Sequence, residues 1–413
     1  MYEYKTLQNG IRIVAEKIPY LHSVSMGVWV GNGSRYENLS ENGISHFIEH
    51  MLFKGTEKRS ARDIAAEVDA VGGQLNAFTT REYTCFYTKT LDEHVGLAAD
   101  ILSDILFHSL LTEQDMALER RVITEEISLY EDSPEDLVYD LLYEAIWKDS
   151  SMGRNILGTP ESLAAITSER MRAYMQSHYT GKNIVISVSG NYTEQLFEVL
   201  EQYFGSQELS RELPAIFPAA YAPGRILKTK DIEQVQLAVA FNGIDVYDES
   251  VYSLLVFNNV FGSGMSSRLF QNIREKRGLV YSIGAGHSAY IGTGIFDISA
   301  GMSPENLKQV AELIDREIQT IRRDKLSEQE IEKAKEQLKG SYILSYESTG
   351  ARMQAAGRSL LLNKPICTCE ETIQKIEAVN ADSVAEIIDR VLDEATLSVA
   401  AVGPITKLDD IFR

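Results

Sequence analysis

A segment early in the chain has the hydrophobic spacing of an amphipathic α-helix. Its apolar residues recur at positions i, i+3, i+4, i+7 and i+8 and form one continuous face: Ile44, Phe47, Ile48, Met51 and Leu52. Asn42 is suited to cap the start of this helix, and Gly55 is suited to end it. The polar residues His46, Glu49 and His50 then fall on a different face, away from the core.

Several other segments predict strands and helices of a mixed fold. Residues 23–30 alternate apolar and small side chains, and residues 184–188 are mostly β-branched, so both predict strands. Residues 95–106 and 307–321 predict amphipathic helices. Strands and helices do not alternate in a regular βαβ order. The pattern therefore predicts an α+β fold, with mixed or antiparallel sheets layered with helices, and not a doubly wound parallel sheet.

A proline-rich stretch lies near the midpoint of the chain. Residues 213–224 contain three of the nine prolines, and proline removes backbone donors and disfavours helix before it, so this stretch predicts an extended linker. A chain of 413 residues also exceeds the usual size of a single hydrophobic core. We predict a first domain of residues 1–213, a linker of residues 214–224 and a second domain of residues 225–413.

The two halves contain similar tetrapeptides. The one that begins at Leu111 is similar to the one that begins at Leu326, 215 positions later. Each opens a charged helical segment that Thr112 and Ser327 are suited to cap. In both halves an amphipathic segment precedes the tetrapeptide, and a strand-like run precedes that segment. This order predicts two homologous copies of one α+β domain.

The composition excludes several classes of protein. The 60 acidic residues outnumber the 40 Lys and Arg residues and give a formal charge of −20, which argues against a nucleic-acid partner because phosphate binding needs clustered cations. The acidic charge serves either solubility or a cavity that attracts basic peptides. No apolar run approaches the ~20 residues needed to span a bilayer. Three cysteines do not form a disulfide framework, so we expect a cytoplasmic protein with reduced thiols.

The polar face of the first helix has the residue types of a metal site. Residues four apart on a helix lie one turn along on the same side, so His46 and His50 can hold one Zn²⁺. Glu49 projects beside them, where a carboxylate can act as a general base. Chance would produce only roughly 0.02 such His-x-x-(Glu/Asp)-His motifs in a chain of this composition, so a merely solvated face explains it poorly. The second half has no such motif, and we predict one zinc ion per chain.

The sequence of residues 46–50 resembles the inverted zincin motif of the pitrilysin (insulinase-like) metallopeptidases. This family includes mitochondrial processing peptidase, and the likeness covers essentially the whole chain. In that family a glutamate on another helix, about 76 residues after the second histidine, is the third zinc ligand, and here that position is Glu126. The resemblance also implies that Glu119, two turns earlier, is a supporting acid for catalysis.

The spacing of these two glutamates fits one face of a helix. Glu119 and Glu126 are seven residues apart and project from nearly the same side. Leu118 and Val122, with Ile123 beside them, are expected to supply its apolar side. Glu125 adjoins Glu126 and remains an alternative ligand.

Residues 72–84 are similar to the Gly-Gly-x-x-Asn-Ala-x-Thr segment of the family. The resemblance implies that a strand edge at Asn76, Ala77 and Phe78 holds a peptide by backbone pairing. Without the resemblance, this segment is an ordinary hairpin strand.

In the second half, a segment is similar to the Arg-x6-Tyr signature of the family. The resemblance implies that Arg274 and Tyr281 contact the substrate, with Tyr281 donating a hydrogen bond to a developing oxyanion. Arg277 is an alternative to Arg274 in this role.

The resemblance as a whole implies a zinc-dependent endopeptidase that cleaves short unfolded peptides or presequences. The acidic charge favours basic peptides among them. Large members of the family carry four such domains, so a chain with two is expected to pair with a second copy as a homodimer that encloses a chamber. A heterodimer is an alternative. The competing functions are a non-catalytic core subunit of the same fold and a zinc-dependent peptide-binding protein without turnover.

Overall fold

The computed structural model describes residues 2–210, 212–408 and 411–412, so the predicted domain ends at residues 1 and 413 lie outside the described residues. The chain forms two compact units, each with one β-sheet covered by helices. The predicted α+β fold with two sheet-and-helix domains is confirmed. Within the described residues, no helix is long and apolar enough to cross a membrane.

The first unit is built on a six-stranded mixed sheet. Its strands are β1 (Tyr2–Thr6), β2 (Arg12–Lys17), β3 (Ser23–Val30), β4 (Gln74–Thr79), β5 (Thr84–Leu91) and β6 (Ile184–Gly190). They lie in the order β1-β2-β6-β3-β5-β4, and only the β2–β6 pair is parallel. The strands predicted at residues 23–30 and 184–188 correspond to β3 and β6. β4 is an edge strand that pairs with β5 alone among the described strands.

In its described residues the second unit repeats this sheet without a counterpart of β1. Its strands are β7 (Arg225–Thr229), β8 (Val235–Asn242), β9 (Ser282–Tyr290), β10 (Thr293–Met302) and β11 (Ser398–Gly403). The order β7-β11-β8-β10-β9 matches β2-β6-β3-β5-β4 strand for strand, and β7–β11 is again the parallel pair. The predicted duplication is therefore visible in the topology.

Fourteen α-helices lie in the described part of the chain. In chain order they are α1 (Ile44–Leu52), α2 (Ala61–Ala70), α3 (Val95–Phe107), α4 (Glu113–Asp132), α5 (Pro134–Ile146), α6 (Pro160–Ala165), α7 (Ser168–His178), α8 (Leu196–Phe204), α9 (Val251–Phe261), α10 (Leu307–Asp324), α11 (Glu328–Ser345), α12 (Thr349–Leu361), α13 (Cys369–Glu377) and α14 (Ala381–Val391). The predicted caps of α4 and α11 are present. Thr112 Oγ1 accepts the N–H of Asp115 at 3.1 Å, and Ser327 Oγ accepts that of Glu330 at 3.3 Å.

One face of each sheet packs against helices in the main core of its unit. Because side chains alternate along a strand, every second residue of the central strands enters this core. In the first unit these are Val24, Met26, Val28 and Val30. In the second unit they are Val235, Leu237, Val239 and Phe241.

The opposite face of each sheet is covered by a helix from the other half of the chain. Residues 128–154 belong to the second unit and residues 344–368 to the first. Accordingly α5 packs on β8 and β11, and α12 packs on β3 and β6. This exchange differs from the predicted domains, which were continuous in sequence. Periodicity shows that a helix has a buried face, but not which sheet that face covers.

Candidate metal centre

Helix α1 carries three of the predicted site residues. It runs from Ile44 to Leu52, and the whole predicted apolar face is buried in the core of the first unit. This packing fixes the rotation of the helix, so that His46, Glu49 and His50 lie away from the core stripe. His46 is itself buried, and the other two are partly exposed.

The predicted ends of α1 were wrong. The N-cap residue is Gly43, not Asn42, and the carboxylate of Glu37 accepts the N–H groups of Gly43 and Ser45. The side chain of Asn42 instead donates to Glu37 Oε2 at 3.2 Å. The helix also ends at Leu52, before Gly55 is reached. Glu37 lies outside the helical pattern, so periodicity could not identify it.

Helix α4 carries the two predicted glutamates. Glu119 is buried and Glu126 is partly exposed. The predicted apolar side of this helix was correct at Ile123 but wrong at Leu118 and Val122, which are 47% and 49% exposed. The residues of α4 that are buried in the core are Met116 and Ile123. Glu119 therefore lies on the buried face of α4, and Leu118 and Val122 lie outside that face.

The ligand atoms of His46, His50 and Glu126 converge, and lie within 4.8 Å of one another. Glu126 Oε2 is 3.7 Å from His46 Nε2 and 3.5 Å from His50 Nε2. Ligands bound tetrahedrally at ~2.0–2.1 Å from a zinc ion would be about 3.3–3.4 Å apart. Both the donor set and its spacing therefore fit zinc. Among the described residues no other group of three such side chains meets this condition, and Glu125 is not part of it.

Glu119 orients the imidazole ring of His50. His50 Nδ1 donates to Glu119 Oε2 at 3.1 Å, which leaves the lone pair of Nε2 directed to the ligand cluster. Lys54 Nζ lies 2.7 Å from Glu119 Oε1, so both oxygens of this buried carboxylate have partners. The arrangement matches the supporting position predicted for Glu119.

The two histidines have opposite electrostatic surroundings. Burial, and then the neighbouring His50, lower the pKa of His46 to about 4, so this imidazole is neutral at physiological pH. Burial also lowers the pKa of His50, but the hydrogen bonds to Glu126 and Glu119 outweigh it and raise the pKa above its ordinary value. The hydrogen bond to His50 in turn lowers the pKa of Glu126. A proton and a metal ion would therefore compete for Nε2 of His50.

Glu49 stands beside the cluster on the same helix. Its Oε2 accepts a hydrogen bond from Thr79 Oγ1 at 2.5 Å. Burial raises the pKa of Glu49, and the Thr79 hydrogen bond only partly offsets this. A carboxyl group with a raised pKa is suited to accept and return a proton.

Strand β4 connects the predicted peptide-binding segment to this carboxylate. Asn76, Ala77 and Phe78 lie on β4, which ends at Thr79, the partner of Glu49. The outer edge of β4 offers backbone donors and acceptors that no described strand uses. Thr79 and Lys54 were not predicted as site residues. Thr79 does fall in the segment that carried the resemblance, and that signal could have identified it.

Arg274 and Tyr281 belong to the second unit. Arg274 lies in a π-helical segment (Phe270–Glu275), where its guanidinium is 4.7 Å from the ring centre of Phe270. Tyr281 is 71% exposed, and Arg277 is exposed as well. Their contact with a substrate stays a prediction.

Comparison with known proteins identifies the family. The profile described as "Insulinase (Peptidase family M16)" matches residues 12–160, and that described as "Peptidase M16 inactive domain" matches residues 165–338. The chain is 43% identical over 399 residues to the uncharacterized zinc protease YmxG of Bacillus subtilis, covering 97% of each. It is 38% identical over 411 residues to an uncharacterized zinc protease of Streptomyces coelicolor, covering 97% of this chain and 89% of that one. The chain belongs to peptidase family M16, and the predicted insulinase-like resemblance is confirmed.

Two solved structures have the same fold. A protease from Helicobacter pylori superposes with a TM-score of 0.91 at 20% identity, covering 98% of this chain and 99% of that chain. A structure described as a peptidase M16 inactive domain from Pseudomonas fluorescens gives 0.92 at 18% identity, covering 98% of both. At these low identities, the similarities establish only that the two-domain fold is shared. The zinc in the names of the sequence relatives agrees with the donor set of the cluster.

Proposed function

We propose that the chain is a zinc-dependent endopeptidase that hydrolyses short, unfolded peptides. The observation that carries this proposal is the convergence of His46, His50 and Glu126 beside the carboxylate of Glu49. Two histidines and one glutamate leave a coordination position open, which is typical of catalytic zinc sites and not of structural ones. One such cluster in the described residues supports one zinc ion per chain.

Zinc bound by these residues would supply a Lewis acid that polarises the scissile carbonyl and lowers the pKa of an attacking water towards ~7. Glu49 takes the proton from that water and gives it to the leaving amine. Because Thr79 donates to Glu49 Oε2, we assign the proton transfer to Oε1. General-base action of this kind contributes ~10²–10⁴-fold to the rate.

The substrate is proposed to bind as an extra strand. An extended peptide that pairs with the edge of β4 at Asn76, Ala77 and Phe78 would place its backbone next to the strand end that holds Glu49. Backbone pairing tolerates many sequences, which suits unfolded peptides. From the second unit, Arg274 or Arg277 and Tyr281 are proposed to contact the substrate, with Tyr281 stabilising the oxyanion.

Partners and location are part of the same proposal. We expect a cytoplasmic homodimer that encloses its substrate, and the formal charge of −20 favours basic peptides. Light scattering coupled to size-exclusion chromatography measures the mass of the assembly. A monomeric mass would contradict the dimer without affecting the proposed chemistry.

The test is Glu49→Gln in purified protein. The variant should keep zinc, because Glu49 is not a ligand, and should lose peptide cleavage by ~10²–10⁴-fold. Zinc content and cleavage of a quenched fluorescent peptide, with and without chelator, measure the two effects. Glu125→Gln, a change at an exposed glutamate outside the ligand cluster, is the matched control and should leave both unchanged.

Three outcomes would contradict parts of the proposal. Wild-type cleavage rates in Glu49→Gln would remove Glu49 from its role. Zinc without chelator-sensitive cleavage in the wild-type protein would favour a peptide-binding protein. Absence of both zinc and cleavage would favour a non-catalytic core subunit.

A further inference from the structure

The metal helix begins without a capping side chain of its own. Its N-cap residue, Gly43, has a φ of +92°, and a Cβ there would lie 2.6 Å from the carbonyl oxygen of Leu157, so only glycine fits. Glycine offers no side chain to the N–H groups that the first turn of a helix leaves unpaired. Gly43 and the first turn are buried, so these donors need a partner from elsewhere in the fold.

Glu37 supplies that partner. It follows a short 3-10 turn (Ser34–Tyr36) and is fully buried. Its Oε2 accepts the N–H of Gly43 at 2.8 Å, and its Oε1 accepts that of Ser45 at 2.9 Å. A carboxylate at this end of a helix also interacts favourably with the helix dipole. Burial raises the pKa of Glu37, and the hydrogen bonds from Ser45 and Gly43 oppose that rise.

Two further buried residues hold the side chain of Ser45, which lies in the same first turn. Asn32 Nδ2 donates to Ser45 Oγ at 3.2 Å, and Tyr174 OH donates to Asn32 Oδ1 at 3.0 Å. Asn32, Ser45 and Tyr174 are all buried. The backbone and the side chain of Ser45 are therefore both tied to fixed polar groups.

The first turn matters because it contains a metal-binding residue. His46 directly follows Ser45 and is the third residue of α1. The helix has only nine residues, and helices this short are marginal unless their ends and faces are held. Metal sites require ligands within ~0.5 Å of the productive geometry. Fraying of the first turn would displace His46, while His50, one turn later, would stay packed.

We propose that Glu37 is a positioning residue of the metal centre, whose carboxylate fixes the first turn of α1 and thereby the position of His46 relative to His50 and Glu126. Glu37 acts through the backbone and does not itself contact the cluster. The inference depends on the proposed zinc site.

Glu37→Gln tests this role. The amide has the same size but only one acceptor oxygen, so one of the two N–H groups loses its partner. Zinc affinity, measured by competition with a chelator well below the melting temperature, should fall by at least ~10-fold, as for loss of an outer partner of a metal ligand. Where Glu37→Gln does not fold, Glu37→Asp takes its place, because it keeps the charge but is one methylene too short to reach both donors.

Ser60→Ala is the matched control. Ser60 caps α2 in the same unit by accepting the N–H of Asp63 at 3.2 Å, and α2 carries no residue of the cluster. Its loss should cost ~1 kcal/mol of stability and leave the zinc affinity unchanged. A purely structural role of Glu37 would make the two variants alike, with lowered melting temperatures and wild-type zinc affinity.

The outcomes separate this inference from the proposed function. A wild-type protein that binds no zinc would overturn the proposed function. Wild-type zinc binding together with equal affinity in the Glu37 variant, or an equal loss in Ser60→Ala, would overturn the positioning role.

Discussion

The two units share one sheet topology but differ in the helices that could hold a metal. In the first unit α1 presents His46, Glu49 and His50, whereas the corresponding α9 contains no histidine and no acidic residue. In α11, the residues 215 positions after Glu119 and Glu126 are Ala334 and Ser341. Ala334 is buried, as Glu119 is. A buried carboxylate is stable only with partners, and where the histidine is missing a small apolar residue occupies the place.

The exchanged helices differ in a complementary way. On the first sheet the large residue is Trp29, and α12 faces it with Gly357. On the second sheet the residues Ala238 and Ala400 are small, and α5 packs against them with Leu142. Leu142 lies 215 positions before Gly357 and corresponds to it. The bulky side chain is thus on the sheet in the first unit and on the helix in the second. The packing of this layer differs between the two units but is present in both. The metal-binding residues are present together in the first unit and are replaced together in the second.

Glu126→Ser gives the first copy the residue of the second and should have the largest effect. Loss of one of three ligands should weaken zinc binding by more than the ~10–100-fold expected for an outer partner, and cleavage should be lost with it. Metal analysis after dialysis and the peptide assay measure this. The reverse change, Ala334→Glu with Ser341→Glu, should add no zinc because α9 offers no histidine. A second equivalent of zinc would contradict the comparison.

Asp297→Asn tests a buried carboxyl that faces the exchanged helix of the second unit. Tyr139 of α5 donates to Asp297 Oδ2 at 3.0 Å, and burial raises the pKa of Asp297 to about 6 from an ordinary 3.8. The folded state therefore binds this proton more tightly than the unfolded state. The resulting stability, up to ~3 kcal/mol, is present below pH ~4 and is lost as the pH rises through ~6.

The variant should flatten this dependence of stability on pH. Asparagine cannot ionise but keeps an oxygen that accepts from Tyr139, so urea midpoints should fall less between pH ~4 and ~7 than in the wild type. Asp315→Asn, at an exposed position of α10, should leave the wild-type slope intact. Equal slopes in all three proteins would exclude this role of Asp297.

Glu119→Ala makes α4 resemble α11 at the supporting position. His50 would lose the acceptor that orients its ring, and zinc affinity or activity should fall by ~10–100-fold. Chelator competition and the peptide assay measure both quantities. Glu125→Ala is the control, since Glu125 lies on the same helix but outside the cluster. Equal behaviour of the two variants would show that α4 needs no supporting carboxylate.

Gly357→Ala tests the packing of α12 on the first sheet. A Cβ at this position would lie 2.1 Å from Trp29 Nε1, so α12 or the indole must shift, at a cost of ~1–3 kcal/mol. Gly340→Ala on α11 is the matched control, because its Cβ would meet no atom within 4 Å. It should stabilise the protein by ~0.5–1 kcal/mol through the helix propensity of alanine. Thermal or urea unfolding distinguishes the two, and equal shifts would contradict the packing difference.

The sequence by itself determined the features that are local. The apolar stripe from Ile44 to Leu52 predicted a buried helix face, and the spacing of His46 and His50 placed both imidazoles on one side of it. The caps at Thr112 and Ser327 and the duplicated order of elements were also correct. Each of these depends on residues within a few helical turns or on a repeated order, and such patterns are readable along the chain.

Only the tertiary structure decided the features that join distant segments. The family resemblance indicates Glu126, but its approach to His46 and His50 depends on the packing of α4 against the core. No local sequence pattern predicts three other features. These are the exposure of Leu118 and Val122, the capping of α1 by Glu37, and the exchange of α5 and α12. Burial and long-range hydrogen bonding depend on which surfaces meet in three dimensions. Periodicity gives the direction of a side chain on its own element, but not the partner that it meets.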